Sequence, residues 1–257
     1  MSCNEKWPNA FLVFAIAALL LCASSCGKQN KDIGEMKKAK IFMAKGQYAE
    51  AQGLLDSLAK AQPEDPEVHQ LLGLCYEHLD RPDDAVLAYK EASRIAPDDL
   101  DILVTLATLQ LKLGLKARQG QQPSPVADQY FYQASALCTQ VLEKSPDNQH
   151  AIIVQVQILA AQGNLTEALA ELDSATQQAP EFQKAFLLKA QVHIEQRQFA
   201  QAAQACLHVI EKIDPKNLEA RSLLARIYTA QGYVDKAIAV LAQANPVTPA
   251  DKQPVHR

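Results

Sequence analysis

Histidine has the widest chemical range in this chain, because an imidazole can bind a metal or carry a proton near neutral pH. The six histidines are scattered, and only His193 and His208 would meet if their segments formed paired helices. A metal or acid–base role for that pair competes with the simpler interpretation of two imidazoles on a helical surface. The sequence contains no Gly-rich phosphate loop, His-Glu-x-x-His, Cys-x-x-Cys or Gly-x-Ser-x-Gly motif. We therefore predict no catalytic residue, no metal site and no cofactor.

Two adjacent pairs of carboxylates, Glu64-Asp65 and Asp98-Asp99, could in principle perform general acid–base chemistry. Each pair follows a proline and precedes a segment with helical spacing of apolar residues. Acidic side chains at the start of a helix complement the positive end of its dipole. We expect both pairs to stabilise helix starts rather than to react.

Three cysteines, Cys75, Cys138 and Cys206, lie in apolar segments of the chain. An odd number leaves one thiol without a partner, and unpaired cysteines behave as small apolar residues. The sequence favours three buried free thiols over a disulfide.

The composition indicates a helical protein. The chain has 257 residues, of which 48% are apolar, only 6% are aromatic and nine are glycine. Alanine and leucine dominate the apolar set, and both favour helices. A formal net charge of −4 argues against a nucleic-acid partner, since such domains are usually basic.

The N-terminus reads as a targeting segment. Residues 10–22 form an unbroken apolar run, too short to span a bilayer, and small residues follow it up to Cys26. Ala23-Ser24-Ser25-Cys26 resembles the lipobox of bacterial lipoproteins, which implies cleavage after residue 25 and acylation of Cys26. We predict a signal peptide over 1–25 and a lipidated tether over 26–31. A plain secretory peptide cut near Ser25 and an uncleaved anchor are the alternatives.

A basic segment follows the predicted anchor. Residues 27–46 carry six lysines against Asp32 and Glu35. Lysines beside a lipid anchor can strengthen its attachment to anionic headgroups. The same lysines would also suit the solvated face of a first helix, and the sequence does not choose between the two.

Prolines divide the remaining chain into repeats. Pro63, Pro97, Pro146, Pro180, Pro215 and Pro249 are separated by gaps of 34, 49, 34, 35 and 34 residues. A spacing that returns to 34 or 35 residues, with one longer gap, is typical of repeat proteins that carry an insertion. The predicted array covers 32–251 and is followed by a tail, 252–257. Its units are 32–65, 66–99, 100–148 with an insertion at 115–129, 149–182, 183–217 and 218–251.

The residues between the prolines recur in step. Unit 66–99 contains Leu72-Gly73, Tyr76, Ala85, Tyr89, Ala92 and Pro97. This pattern resembles the tetratricopeptide repeat (TPR), and the other five units match it with fewer residues. The resemblance implies an all-α fold, a right-handed α-solenoid or superhelix of about six TPR hairpins, each with a first helix A and a second helix B.

The pattern also implies how each hairpin closes. A small residue at the eighth position should face an alanine at the twentieth, which in the second unit are Gly73 and Ala85. Four glycines are expected to end helix A, because glycine adopts left-handed geometry cheaply: Gly46, Gly114, Gly163 and Gly232. The tail is too short and too rich in proline for a capping helix. The Val240-Leu241 side should therefore meet a partner or fray.

TPR proteins generally bind protein or peptide partners in a groove lined by helix A, and the resemblance extends that expectation to this chain. Repeat position selects the groove residues: Gln70, Leu74, Glu77, His78, Val104, Thr108, Leu111, Lys112, His150, Ile153, Gln157, Lys184, Leu187, Gln191, Ile194, Glu219, Ser222 and Arg226. The insertion and Tyr130-Phe131-Tyr132 give a second candidate surface, although a polar insertion of this kind is more often a tolerated surface loop.

These observations predict a non-enzymatic scaffold lipoprotein that faces the periplasm of a bacterial envelope. Similar proteins serve pilus, secretion, outer-membrane and polysaccharide-export assemblies. Gly27 after Cys26 favours the outer membrane over the inner one. The alternative is an accessory subunit that binds a glycan or a peptidoglycan or polysaccharide enzyme. The sequence leaves the partner and the oligomeric state open.

Overall fold

The computed structural model describes residues 32–119 and 124–243. The predicted signal peptide, the tether with Cys26 and the tail lie outside these residues. Every regular element in the described ranges is a helix. Within the same ranges, no helix combines the length and apolarity that are needed to cross a bilayer.

Twelve helices follow one another in the described part of the chain. We number them α1 (32–44), α2 (Tyr48–Ala61), α3 (Pro66–His78), α4 (Pro82–Ile95), α5 (Leu100–Arg118), α6 (Pro125–Lys144), α7 (Gln149–Gln162), α8 (Leu165–Gln178), α9 (Gln183–Glu195), α10 (Phe199–His208), α11 (Leu218–Ala230) and α12 (Val234–Ala242). A π-helical stretch, Val209–Ile213, continues α10. Consecutive helices fall in pairs, one pair in each predicted unit.

The repeat prolines end the second helix of their units. The helical segments before Pro63, Pro97, Pro146, Pro180 and Pro215 each stop two residues short of the proline. Proline disfavours helical geometry in the residue before it and cannot donate a backbone hydrogen bond. The period of the prolines therefore sets the period of the hairpins.

The chain folds as two compact units, and their division falls within α5, after Ile102. The core of the first compact unit joins α1, α2, α3 and α4 through buried residues that include Ala39, Leu55, Leu58 and Val68. The second unit contains a series of such clusters. One packs Leu172 of α8 against Leu188 and Val192 of α9, and another packs Cys206 of α10 against Leu224 and Ile227 of α11.

Glycine ends helix A in three of the four places predicted. Gly46, Gly163 and Gly232 have φ of 75°, 86° and 81°, which confirms the left-handed turn. The prediction for Gly114 is wrong, because this residue lies inside α5, buried, with Phe131 as its neighbour. The insertion explains the error: residues 115–118 lengthen α5 and residues 125–129 begin α6, so these two helices reach 19 and 20 residues.

Two alanine substitutions should change stability in opposite directions. An added Cβ at Gly53 or at Gly163 would meet no atom within 4 Å, and only Gly163 has a positive φ. Gly53→Ala, inside α2, should stabilise the protein by about 0.5–1 kcal/mol, because alanine loses less entropy in a helix. Gly163→Ala should destabilise it by about 1–2 kcal/mol, the cost of left-handed geometry for an L-residue. Urea denaturation measures both, and equal signs would contradict the assigned turn.

The nearest atoms to Gly73 across the contact between α3 and α4 belong to Tyr89. A Cβ on Gly73 would lie 2.8 Å from ring carbons of Tyr89, and Ala85 is not among its three nearest neighbours. Tyr89 is buried and its hydroxyl donates to Glu77 at 2.9 Å. The sequence pattern predicted a close approach of α3 and α4 at Gly73, and the side chain that comes nearest is Tyr89, about one helical turn after Ala85.

Candidate partner-binding groove

The predicted groove residues differ widely in accessibility. Eight are exposed: Leu74, His78, Lys112, His150, Lys184, Glu219, Ser222 and Arg226. Seven more are half-buried: Gln70, Glu77, Thr108, Ile153, Gln157, Gln191 and Ile194.

Three residues of the predicted lining lie in the core instead. Val104, Leu111 and Leu187 are buried. Leu111 packs in a cluster with Val154 and Ile158, and Leu187 packs with Val209 and Ala220. They occupy the same repeat positions as exposed residues of other units, but their apolar side chains turn towards neighbouring helices. They present no accessible surface to a ligand.

In the first compact unit, two of the predicted groove residues already contact other residues of the chain. The ring of His78 stacks on Tyr48 with centroids 3.9 Å apart, and Glu77 accepts the hydroxyl hydrogen of Tyr89. Leu74 stays exposed beside them. This part of the lining is therefore pre-ordered by the hairpins that carry it.

In the second compact unit, an ion pair joins one predicted groove residue of α9 to one of α11. Lys184 Nζ lies 3.4 Å from Glu219 Oε1, and both side chains are about half exposed. A solvent-exposed pair of this kind contributes about 0–1 kcal/mol. Its main effect is to fix the spacing of the two helices at one end of their shared face.

A cavity of about 530 Å³ opens between α9, α10, α11 and α12. We call it the C-terminal cavity. It brings together three of the predicted groove residues, Ile194, Ser222 and Arg226. The sequence analysis missed the remaining residues of its wall: Phe199, Ala225, Ile227, Thr229, Ala230 and Leu241. Most of them are apolar, so repeat position alone underestimated the apolar share of the site.

The polar groups of the C-terminal cavity are unequally available. Thr229 donates its hydroxyl to the carbonyl oxygen of Ala225 at 2.9 Å. Arg226 is exposed and forms no hydrogen bond or ion pair with any residue in the described ranges. A guanidinium beside an apolar cavity suits a ligand that carries both an apolar side chain and a carboxylate.

Family profiles match most of the chain. Residues 36–99 match one model of the tetratricopeptide repeat, and residues 131–192, 159–213 and 193–257 match another. Together they cover more than half of the sequence. The chain belongs to the tetratricopeptide repeat family. The predicted fold class, all-α with TPR hairpins of the α-solenoid type, is confirmed.

The TPR chain is similar to proteins of several kinds. Human DnaJ homolog subfamily C member 7 is 23% identical over 207 residues, which are 78% of this chain and 40% of that protein. The structure of PilW, described as a widely conserved type IV pilus biogenesis factor, matches with a TM-score of 0.64 and 20% identity, over 85% of this chain and 95% of its own. YrrB, described as a TPR protein with an unusual peptide-binding site, matches with a TM-score of 0.55 and 18% identity, over 77% and 94% of the two chains. Structural likeness at these identities shows the fold.

The histidine pair of the fifth TPR borders a second cavity, of about 340 Å³. His193 Nδ1 lies 2.7 Å from Gln198 Oε1, while His208 stacks on Phe186 and bonds to the carbonyl oxygen of Pro180 at 3.2 Å. Each imidazole thus has a structural partner. No three histidine, cysteine, aspartate or glutamate side chains are grouped for metal binding in the part of the chain that the structure describes. These contacts favour the surface interpretation of the pair.

One member of each carboxylate pair caps the helix that follows it, in line with the prediction, while Glu64 pairs with Arg94. Asp65 accepts a hydrogen bond from the backbone N–H of Glu67 at the start of α3, and Asp99 accepts from those of Asp101 and Ile102 at the start of α5. These bonds satisfy backbone donors that a helix leaves free at its first turn.

The aromatic triplet of the third TPR does not form one surface. Phe131 is buried against Gly114 and lies under the guanidinium of Arg118, 5.1 Å from it. Tyr130 is half-buried, and Tyr132 is 76% exposed. A glycan-binding site usually needs neighbouring aromatic faces, and only one ring here is open.

The three cysteines are free and buried, as predicted. Burial raises the pKa of the Cys75 thiol to about 11, with a smaller effect from Asp56, and raises the pKa of Cys138 and of Cys206 to about 12. The thiolate is the reactive form, so all three should be inert at pH 8.

We expect iodoacetamide at pH 8 to alkylate Cys75, Cys138 and Cys206 at least about a thousandfold more slowly in native protein than in urea, since labelling requires local opening. Peptide mass spectrometry measures each site separately. Rapid native alkylation of Cys138 or Cys206 would contradict their placement between helices.

Proposed function

We propose that this TPR protein is a non-enzymatic scaffold that binds protein or peptide partners through its helix A faces, chiefly at the C-terminal cavity. The observation that carries the proposal is the convergence of Ile194, Ser222 and Arg226 on an apolar cavity of about 530 Å³. A largely apolar cavity beside a guanidinium that has no polar partner in the described ranges supports recognition of a ligand, whereas catalysis would need a nucleophile or base with an orienting partner.

The proposed ligand is a segment of a partner protein with an apolar anchor next to a carboxylate. Apolar atoms of Phe199 and Leu241 would remove the anchor from water, and Arg226 would hold the carboxylate. The description of YrrB, a TPR protein with a peptide-binding site, supports this mode of recognition. Neither the histidine cavity nor the divided aromatic triplet offers a comparable site, so the glycan-binding alternative is less well supported.

Charge reversal at the cavity tests the binding mode. Arg226→Glu should reduce the amount of partner that co-isolates with the protein by about tenfold or more, because a carboxylate would repel the proposed ligand. Lys90→Glu is the matched control, since Lys90 is exposed on α4 and the charge change is the same. Equal partner recovery with both variants would refute binding at the C-terminal cavity.

We further propose that Cys26 anchors the scaffold by a lipid to the periplasmic side of a bacterial envelope, at the outer membrane rather than the inner one. Gly27 after the acylated cysteine supports this sorting. At that location, we propose that it helps to assemble a pilus, secretion, outer-membrane or polysaccharide-export complex. The fold likeness to PilW, described as a pilus biogenesis factor, is compatible with the first of these.

The anchor is tested by processing. Cleavage before Cys26 removes Trp7, the single tryptophan of the chain. Membrane-extracted protein should therefore lack indole emission and enter the detergent phase, whereas Cys26→Ser should accumulate as an uncleaved, tryptophan-containing precursor. Tryptophan emission from the major wild-type species would show that residues 1–25 are retained and would refute lipidation at Cys26.

A further inference from the structure

Two repeat positions mark the contact between successive TPRs. The tenth residue of each unit lies in helix A and is Ile41, Cys75, Leu109, Ile158, Val192 or Ile227. The twenty-fourth lies in helix B and is Leu55, Tyr89, Cys138, Leu172, Cys206 or Leu241. Ten of these twelve side chains are at most 4% exposed. The exceptions are Ile41, at the start of the array, and Leu241, at its end, which are 52% and 46% exposed.

The clusters show why these two residues are uncovered. Leu55 lies in one cluster with Cys75 of the following unit, and Leu172 lies in one cluster with Val192. Cys138 with Ile158 and Cys206 with Ile227 repeat the arrangement. In each of these repeats, the twenty-fourth residue is therefore buried by helix A of the following repeat, where that repeat's tenth residue lies.

The two ends of the array thus carry opposite halves of one contact. Helix α12 exposes Val234, Ile238 and Leu241, the preceding Tyr233 is exposed as well, and no helix A follows in the described ranges. Helix α1 exposes Ile41, and no helix B precedes it in those ranges. We propose that α1 of a second copy of this chain packs on α12 of the first, so that copies associate head to tail and continue the stacking of the repeats.

A second copy is the occupant that the sequence itself favours. It supplies a helix A at the required place, whereas Pro246, Pro249 and Pro254 interrupt any helix A pattern in the sequence of residues 244–257. Lys37 occupies the sixth position of α1, where the second, fourth, fifth and sixth units have leucine or valine. This lysine should weaken the contact relative to those inside the chain and make it reversible.

The symmetry of the contact determines the products. Because the two surfaces differ, the interface is heterologous and each bound copy exposes another free end. Association should therefore proceed to dimers, trimers and longer species rather than stop at a two-fold dimer. The contact shares Leu241 with the C-terminal cavity, but it does not require the ligand proposed for that cavity, and Arg226 takes no part in it.

Disulfide trapping tests the head-to-tail contact in the full chain in its membrane. A chain that carries both Ile41→Cys and Ile238→Cys should give a ladder of cross-linked species under mild oxidation. A mixture of the two single variants should stop at dimers that contain one chain of each. The control combines Ile41→Cys with Leu87→Cys, since Leu87 is 66% exposed on α4. This variant should give no more cross-linked species than the chain without substitutions.

A charge exchange in detergent-solubilised full chain gives a second readout. Ile41→Glu should weaken self-association by at least about tenfold in sedimentation velocity, and adding Ile238→Lys to the same chain should restore it. No ladder with the double cysteine variant, or equally efficient dimers from Ile238→Cys alone, would overturn the proposal. A ladder that forms only after deletion of residues 244–257 would also overturn it, by showing that the tail covers α12.

Discussion

Replacing Gly73 with leucine should destabilise the first compact unit by about 1–3 kcal/mol or more, because the new side chain has no space between α3 and α4. Its Cβ alone would lie 2.8 Å from the ring of Tyr89. That ring cannot move away freely, since it is 1% exposed and its hydroxyl is bound to Glu77. Urea denaturation would measure the loss as a lower midpoint.

Two further variants isolate the cause. Gly53→Leu adds the same side chain to a helix where a Cβ meets nothing within 4 Å, so its cost should be small. Tyr89→Ala removes the opposing ring, and Gly73→Leu should then cost far less than in the wild-type background. Equal costs for Gly73→Leu and Gly53→Leu would show that the two helices do not meet at Gly73.

The second large loss of stability is expected from replacing Arg221, whose side chain is buried near the end of the second compact unit. Its guanidinium donates to the carbonyl oxygen of Pro215 at 2.7 Å, and to that of Val240 and to Gln243 Oε1, both at 3.2 Å. These bonds tie α11 to the preceding turn and to the end of α12. Arg221→Met should cost about 2–4 kcal/mol, because it leaves several acceptors without a donor.

The matched control for this substitution is Arg226→Met, five residues later on the same helix. Arg226 is exposed and has no polar partner in the described ranges, so the change should stay within about 0.5 kcal/mol. Hydrogen exchange would show the Arg221 effect as faster opening of α12. Similar stability losses for both variants would contradict the assigned role of Arg221.

The periodic features of the fold could be predicted from the sequence, because each hairpin repeats the same local physics. A proline stops helix B wherever it occurs, and a glycine is the cheapest residue for the turn after helix A. The same turn has φ of 54° at Asp80 and 58° at Arg197, where no glycine signals it. Here the closure of the hairpin imposes a backbone geometry that the residue itself disfavours.

The errors arise from one insertion and from contacts between residues that are distant in sequence. Gly114 does not end helix A, because the inserted residues extend α5 and α6 and Phe131 fills the space beside the glycine. The burial of Leu187 depends on Val209, which is distant in sequence. Arg221 looks like an exposed residue in the sequence, and only the nearby carbonyl oxygens of Pro215 and Val240 explain its burial.

Site-specific photo-crosslinking in intact cells tests the central claim most directly. A photoreactive amino acid placed at Ser222, in the C-terminal cavity, should trap one discrete partner protein that mass spectrometry can identify, and Arg226→Glu in the same chain should abolish the adduct. The same probe at Leu87, exposed on α4, should trap nothing comparable. An adduct at Leu87 but not at Ser222, or a Ser222 adduct that survives Arg226→Glu, would contradict recognition at the cavity.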